Sequence, residues 1–157
     1  MSEPTIVHST FVIERQLLAP AARVFAALSD PRQVRGWYAD GDGRKAEVFE
    51  MDFSVYGRQH MGSRMGDDTP FPGALLESDA VFLDIVPDRR VVMAQTMSLA
   101  GRRISASLIT YEVLDANGVS ELVFTHQGAF FEGSGGPEMR EMGWRHLLDS
   151  LGQALGG

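Results

Sequence analysis

Cysteine is absent from the 157 residues, which removes disulfides, thiolate metal sites and cysteine nucleophiles and fits a cytoplasmic location. No apolar run approaches the roughly eighteen residues of a membrane-spanning helix, so no membrane insertion is expected. The opening MSEPTIVHST has no basic stretch ahead of an apolar block, and no secretory leader is expected. Basic residues are few, 14 against 21 acidic, for a formal charge of −7. Nucleic-acid binding needs a basic face, so nucleic acid is not an expected partner. His8, His60, His126 and His146 show no metal-ligand spacing, and no Gly-x-Ser-x-Gly nucleophile elbow occurs. Asp40-Gly41-Asp42-Gly43 invites a calcium reading, but an EF-hand loop would need an acid or amide at Arg44 and glycine at Lys45. The Gly41-x-Gly43-x-x-Ala46 match to a dinucleotide fingerprint precedes a strand instead of following one. No metal and no cofactor are therefore expected.

What is present is an ordinary globular composition, 44% hydrophobic and 22% charged. A chain of this length forms one domain, residues 1–157, and buries about 70% of its unfolded surface. Eight methionines are many for this length and point to a pliable interior. The longest clean helical pattern is Pro137 to Leu155, where Trp144, Leu147, Leu148, Leu151 and Leu155 share one face. Pro137 suits a first helical position, and Gly156-Gly157 suit a stop. At 1.5 Å per residue the helix runs roughly 28 Å. Arg140, Glu141, Arg145 and Asp149 are expected to face water.

Ile6 to Leu18 reads as a first strand. Pro20 then opens a short helix with Val24, Phe25 and Leu28 on one stripe. Asp30, Pro31 and Gln33 mark a second start, and this helix ends near Gly36-Trp37. Two short helices in a V are expected. Asp40 to Lys45 is a loop. Alternation over Met51, Phe53 and Val55, then Met61 and Met65, then Val81, Leu83 and Ile85, then Val91, Met93 and Met97 gives successive strands. Asp67 to Gly73 forms a loop between them. Ile104 to Leu114 and Leu122 to Gln127 follow, joined through Asn117-Gly118, the best two-residue hairpin signal in the chain. Hairpin connections make the sheet antiparallel.

Four pieces carry a resemblance: APAARVFAALSDPRQVRGWY, MDFSVYGR, LVFTHQGAF and GWRHLLDSLGQAL. Their order and spacing resemble the helix-grip fold of the START-related superfamily, shared with the birch pollen allergen and polyketide cyclases. Within it the chain is similar to the bacterial branch of activator of heat-shock-protein-90 ATPase homologues. The resemblance implies an α+β fold, a curved seven-stranded antiparallel sheet around the C-terminal helix, with the two short helices after strand 1. It also implies a cavity. Superfamily members bind, carry, cyclise or degrade very different apolar molecules, and no catalytic motif transfers residue by residue. A chaperone interaction follows only by analogy with the eukaryotic co-chaperone that names the branch.

The expected partner is a small, mostly apolar molecule held between sheet and long helix. His126 shares the strand parity of Leu122 and Phe124 and should point inward, as an acid, base or ligand anchor, or as a plain core histidine. Gln95 would add a second polar contact. Trp37 lines the cavity mouth or packs the helical V against the sheet. Phe53, Phe124, Met61, Met65, Met93, Met97, Met139 and Met142 would supply adaptable apolar lining. Gly143, costly by about 1 kcal/mol in a helix interior, would border the same space. An enzyme of cyclase, dehydratase or hydrolase type in this cavity is the alternative, and it needs a second polar group converging on His126. One of Arg15, Arg58, Arg64 and Arg103 could instead turn inward to meet a carboxylate ligand. The oligomeric state is open.

Overall fold

The computed structural model describes residues 4–41 and 45–156 of the chain. Strand β1 (Val7–Leu17) leads to helices α1 (Ala21–Ser29) and α2 (Pro31–Val34). Asp30 caps α2 by accepting from the Arg32 N–H at 3.0 Å, and Pro31 occupies its first turn. A π-helical turn, Arg35–Ala39, prolongs α2. The V of two short helices therefore has a widened end, with Trp37, Tyr38 and Ala39 all buried there. Of the loop expected at Asp40 to Lys45, residues 42–44 lie outside the described residues.

Six further strands follow: β2 (Val48–Met51), β3 (Arg58–Arg64), β4 (Leu75–Val86), β5 (Arg90–Leu99), β6 (Arg102–Ala116) and β7 (Val119–Phe130). The last element is α3 (Pro137–Ala154). The seven strands form one antiparallel sheet in the order β1-β7-β6-β5-β4-β3-β2. β1 thus returns beside β7, while the rest is a meander. Asn117 and Gly118, at φ +57° and +88°, make the β6–β7 turn that the Asn-Gly pair predicts.

Two sequence expectations fail locally. Met51, Phe53 and Val55 do not form one strand: β2 stops at Met51, and Tyr56 turns the chain in the left-handed region at φ +67°. The strand expected around Val81, Leu83 and Ile85 forms as β4, but its fully buried residues are Ser78, Ala80 and Phe82, and of the three only Ile85 packs against the core. A register shift between Phe82 and Asp84 against β5 changes the parity there.

The core lies between the concave sheet and the helices. Trp144, Leu148, Leu151 and Leu155 are buried, as the helical stripe predicts. They meet Ile13 and Leu17 of β1, Leu122 and Phe124 of β7, and Trp37 and Tyr38. Trp144 packs at a tilt on Phe124 with ring centroids 4.4 Å apart and touches Tyr38 and Tyr111 at 5.8 and 6.4 Å. No helix among the described residues is long and apolar enough to cross a membrane.

Candidate functional site

Strand parity carries the site. On β7, Leu122, Phe124, His126 and Phe130 all point into the core. On β6 the inward positions change character along the strand. Tyr111 and Ile109 are large, whereas Ser107 and Ser105 are small hydroxyls, yet all four are buried. On β5, Val91 and Met93 give way to Gln95 in the same direction. The register places Gln95 opposite Ser107, and Ser107 opposite Gly128. One end of the interior is thus apolar, and the other end is a buried polar patch.

Hydrogen bonds join part of this patch. The Tyr38 hydroxyl lies 3.0 Å from Ser78 Oγ and accepts from Gln95 Nε2 at 3.1 Å. From α3, Arg140 donates through Nη2 to Ser105 Oγ at 2.8 Å and lays its guanidinium 5.3 Å from the Phe130 ring centroid. The remaining polar atoms have no partner. Among the described residues, the buried orphans are Gln95 Oε1, Ser107 Oγ, His126 Nδ1, His126 Nε2 and Arg140 Nη1. Buried polar atoms are ordinarily paired, so five orphans on four residues of one patch mark a place built for something else.

Burial and charge set the protonation states. His126 is fully buried, and desolvation, helped by the Arg140 charge, lowers its pKa to about 4. Its imidazole is neutral at pH 7, with one nitrogen to donate and one to accept. Its ring stacks on Phe11 at 4.7 Å and lies near Phe130 at 5.8 Å. Gly128 makes room for this: a Cβ there would sit 2.7 Å from Phe130 and 3.0 Å from His126 Cε1. Burial also lowers Arg140 to about 10, which leaves it charged at neutral pH. Desolvation raises the Tyr38 and Tyr111 hydroxyls, Tyr111 well above the ordinary value, so both stay protonated.

The space itself is nearly closed. Beside Tyr38, a void of about 10 Å³ is lined by Leu28, Val34, Trp37, Tyr38, Gln59, Phe82, Val91, Met93 and Tyr111. That is room for about one water molecule, and Gln95, Ser107, His126 and Arg140 lie outside its lining. An open depression of about 370 Å³ lies elsewhere, at the ends of β1 and β7 around Glu14, Arg15 and Glu121, and Gln95, Ser107, His126 and Arg140 are not part of it.

The structure groups some of the residues singled out from sequence and separates others. Gln95, His126 and Phe124 lie in the buried interior, and Met93 lines the void with Trp37. The Trp37 indole donates to the Ala27 carbonyl at 2.8 Å and so also ties the π turn to α1. Phe53 is half-buried against Phe25 and Phe82 at 5.8 and 5.0 Å. Met61 is buried on β3, while Met65, just past that strand, and Met97 are half-buried. Met139 and Met142 do not border the interior: they are 59% and 69% exposed on the outer side of α3. Gly143 is exposed too, with nothing within 4 Å of an added Cβ, so it and His126 face different spaces. Gly143→Ala should therefore raise stability by about 1 kcal/mol, read as a shift in urea midpoint at unchanged slope. A loss of stability would mean that the glycine serves a close approach.

Arg140 corrects the expectation that it faces water, and it had a readable signal. It precedes Trp144 by four residues and Leu148 by eight, and so falls on the buried stripe. Arg58, Arg64 and Arg103 are exposed, and Arg15 pairs with Asp149 at 3.3 Å. Ser105 and Ser107 were equally legible, as hydroxyls in the inward parity of β6. Tyr38 gave no such signal, because the π turn decides where it points, whereas Ser78 shares the inward parity of Ala80 and Phe82 on β4.

The sequence profile described as "Activator of Hsp90 ATPase homolog 1-like protein" matches residues 18–156. No curated protein matches the sequence. Among solved structures, an uncharacterised protein from Rhizobium leguminosarum is 37% identical over 96% of this chain and 95% of its own, with a TM-score of 0.89. The Mll3558 protein from Rhizobium loti is 38% identical over 96% and 99%, with a TM-score of 0.85. At 23% identity, the CV1439 protein from Chromobacterium violaceum shares the fold, with a TM-score of 0.74. With a matched profile over nearly its full length and this helix-grip architecture, the chain belongs to the family of activator of Hsp90 ATPase homolog 1-like proteins.

Proposed function

We propose that the chain binds a small, mostly apolar molecule between the sheet and α3. The observation that carries this is the set of orphaned polar atoms on Gln95, Ser107, His126 and Arg140, held inside an otherwise apolar interior. Small-molecule sites have this composition, mainly hydrophobic walls with a few placed polar groups. Such sites measure roughly 300–1,000 Å³, so the interior expands when a ligand enters. The first two turns of α3 are suited to that movement. Its buried residues are Trp144, Leu148 and Leu151, all beyond these turns. The loop ahead of the helix holds Gly133, Gly135 and Gly136 at φ +82°, +80° and +89°. Lifting these turns breaks the Arg140–Ser105 hydrogen bond and leaves the anchored half in place.

A catalytic role in the same interior has less support. It needs a second group converging on His126, and both ring nitrogens of that histidine lack a hydrogen-bond partner. Nothing in the geometry favours the co-chaperone reading.

The test is native mass spectrometry of purified protein followed by titration with an environment-sensitive apolar dye, 1-N-phenylnaphthylamine. A co-purified small molecule, or saturable uptake of one dye per chain, is expected. In backbone amide spectra the shifts should centre on β5, β6, β7 and the first half of α3. A chain that carries nothing and takes up no dye overturns the reading.

A further inference from the structure

The polar end of the interior has its own chemistry, and that chemistry is unbalanced in charge. Arg140, half-buried as a residue, is the charged side chain that reaches the buried patch, with its Nη1 fully buried. Its Nη2 is committed to Ser105, while its Nη1 is buried with no acceptor. Among the described residues it forms no ion pair, whereas Arg15, Arg35, Arg64, Arg90 and Arg145 each have a carboxylate. A desolvated guanidinium without a counter-charge is unfavourable, and an anion delivered to it removes the imbalance. The neighbouring orphans are donors, or become donors at little cost. Ser107 offers a hydroxyl and neutral His126 one N–H. The Gln95 amide, turned end for end, offers an N–H₂ while its oxygen accepts from the Tyr38 hydroxyl. Gln95, Ser107 and His126 are each more than nine-tenths buried.

We propose that the bound molecule carries a carboxylate, held by the Arg140 guanidinium with the Ser107 hydroxyl and the His126 ring, and that its apolar body lies along Phe11, Phe124, Ile109 and Met93. This rests on the reading that the interior takes a small apolar molecule. One guanidinium supplies one positive charge. A monoanion is neutralised there, whereas a phosphate dianion leaves a buried negative charge, and an uncharged head leaves the cation bare. The aromatic rings packed around His126 at 4.7 to 6.5 Å, those of Phe11, Phe130 and Phe124, leave the head little water to keep. They favour an aliphatic or aromatic acid over a sugar acid or an amino acid.

Matched probe pairs test it: decanoate against 1-decanol, and 2-naphthoate against 2-naphthylmethanol, by isothermal titration at pH 7. The wild-type chain should bind each acid at least tenfold more tightly than its alcohol. Arg140→Met, which keeps the apolar stem and removes the charge, should lose that preference while holding the alcohols as before. Arg140→Lys should keep part of it. Amide spectra of the variants establish that they fold. Equal binding of acid and alcohol by the wild type, or a preference that survives in Arg140→Met, overturns the carboxylate site and leaves the apolar interior standing. If neither pair binds and the dye is also refused, both readings fall together.

Discussion

Trp144→Ala lowers the melting temperature by roughly 10 °C. The indole is buried in the middle of α3, in tilted contact with Phe124 at 4.4 Å and with Tyr38, and edge-on to Tyr111. Truncating a buried tryptophan costs about 3–5 kcal/mol, since transfer energy and cavity both count. In a domain of this size each kcal/mol is worth about 2–4 °C. The loss should be on the high side, because four aromatic rings meet here and cannot close the gap by rotamer changes alone. Differential scanning calorimetry reads it directly. A fall of only 1–2 °C would mean that α3 is not anchored through this residue, and the account of its hinged first half would fail with it. Leu148→Ala, one turn on and equally buried, should show a smaller loss of the same sign, which guards against a peculiarity of the tryptophan.

The second large effect is an acid sensitivity centred on His126. Its folded pKa of about 4 lies below the ordinary value of 6.5, chiefly because burial disfavours the charged ring. Between those two values the unfolded chain takes up a proton that the folded protein refuses. The penalty is therefore absent above pH 6.5, grows as the pH falls, and levels off below about pH 4. Its full size is about 3 kcal/mol. The wild-type slope alone is not diagnostic, because it sums over every ionisable group of the chain. The difference from His126→Phe is, because the carboxylates are common to both chains. Phenylalanine keeps the stack on Phe11 and removes two orphaned nitrogens. In urea titrations the variant should gain on the wild type by about 2–3 kcal/mol between pH 7 and pH 4.5. His126→Leu, smaller than phenylalanine, covers the case in which the larger ring strains Gly128. A pH-independent difference in both variants would mean that His126 takes up its proton over the same pH range in the folded and the unfolded chain.

These expectations show where the sequence is a good guide. The inward parity of Leu122, Phe124 and His126, the Asn117-Gly118 turn and the apolar stripe of α3 all depend on strict local periods, and each is realised. The sheet and its enclosing helix were legible through the same periods together with the family resemblance. Where the backbone breaks period, the reading breaks as well. The shift after Phe82 passes the inward parity of β4 from Ser78, Ala80 and Phe82 to Ile85, and the π turn brings Tyr38 to Ser78 and Gln95. Methionine character alone misled on α3: Met139 and Met142 occupy its outer face, and the residue that reaches the polar patch is Arg140. Charge alone would send an arginine to water, but its place on the stripe decides otherwise.

The void of about 10 Å³ has a consequence for measured affinity. On the proposed reading a ligand would bind only an expanded form, so its apparent dissociation constant would be the intrinsic one divided by the fraction of molecules expanded at rest. If about one chain in a hundred is open, binding is about a hundredfold weaker than the contacts alone would give. Stability and affinity are then opposed: substitutions that loosen the first turns of α3 raise the open fraction and tighten binding as they lower the melting point. Association is gated as well, and runs slower than encounter with a preformed pocket.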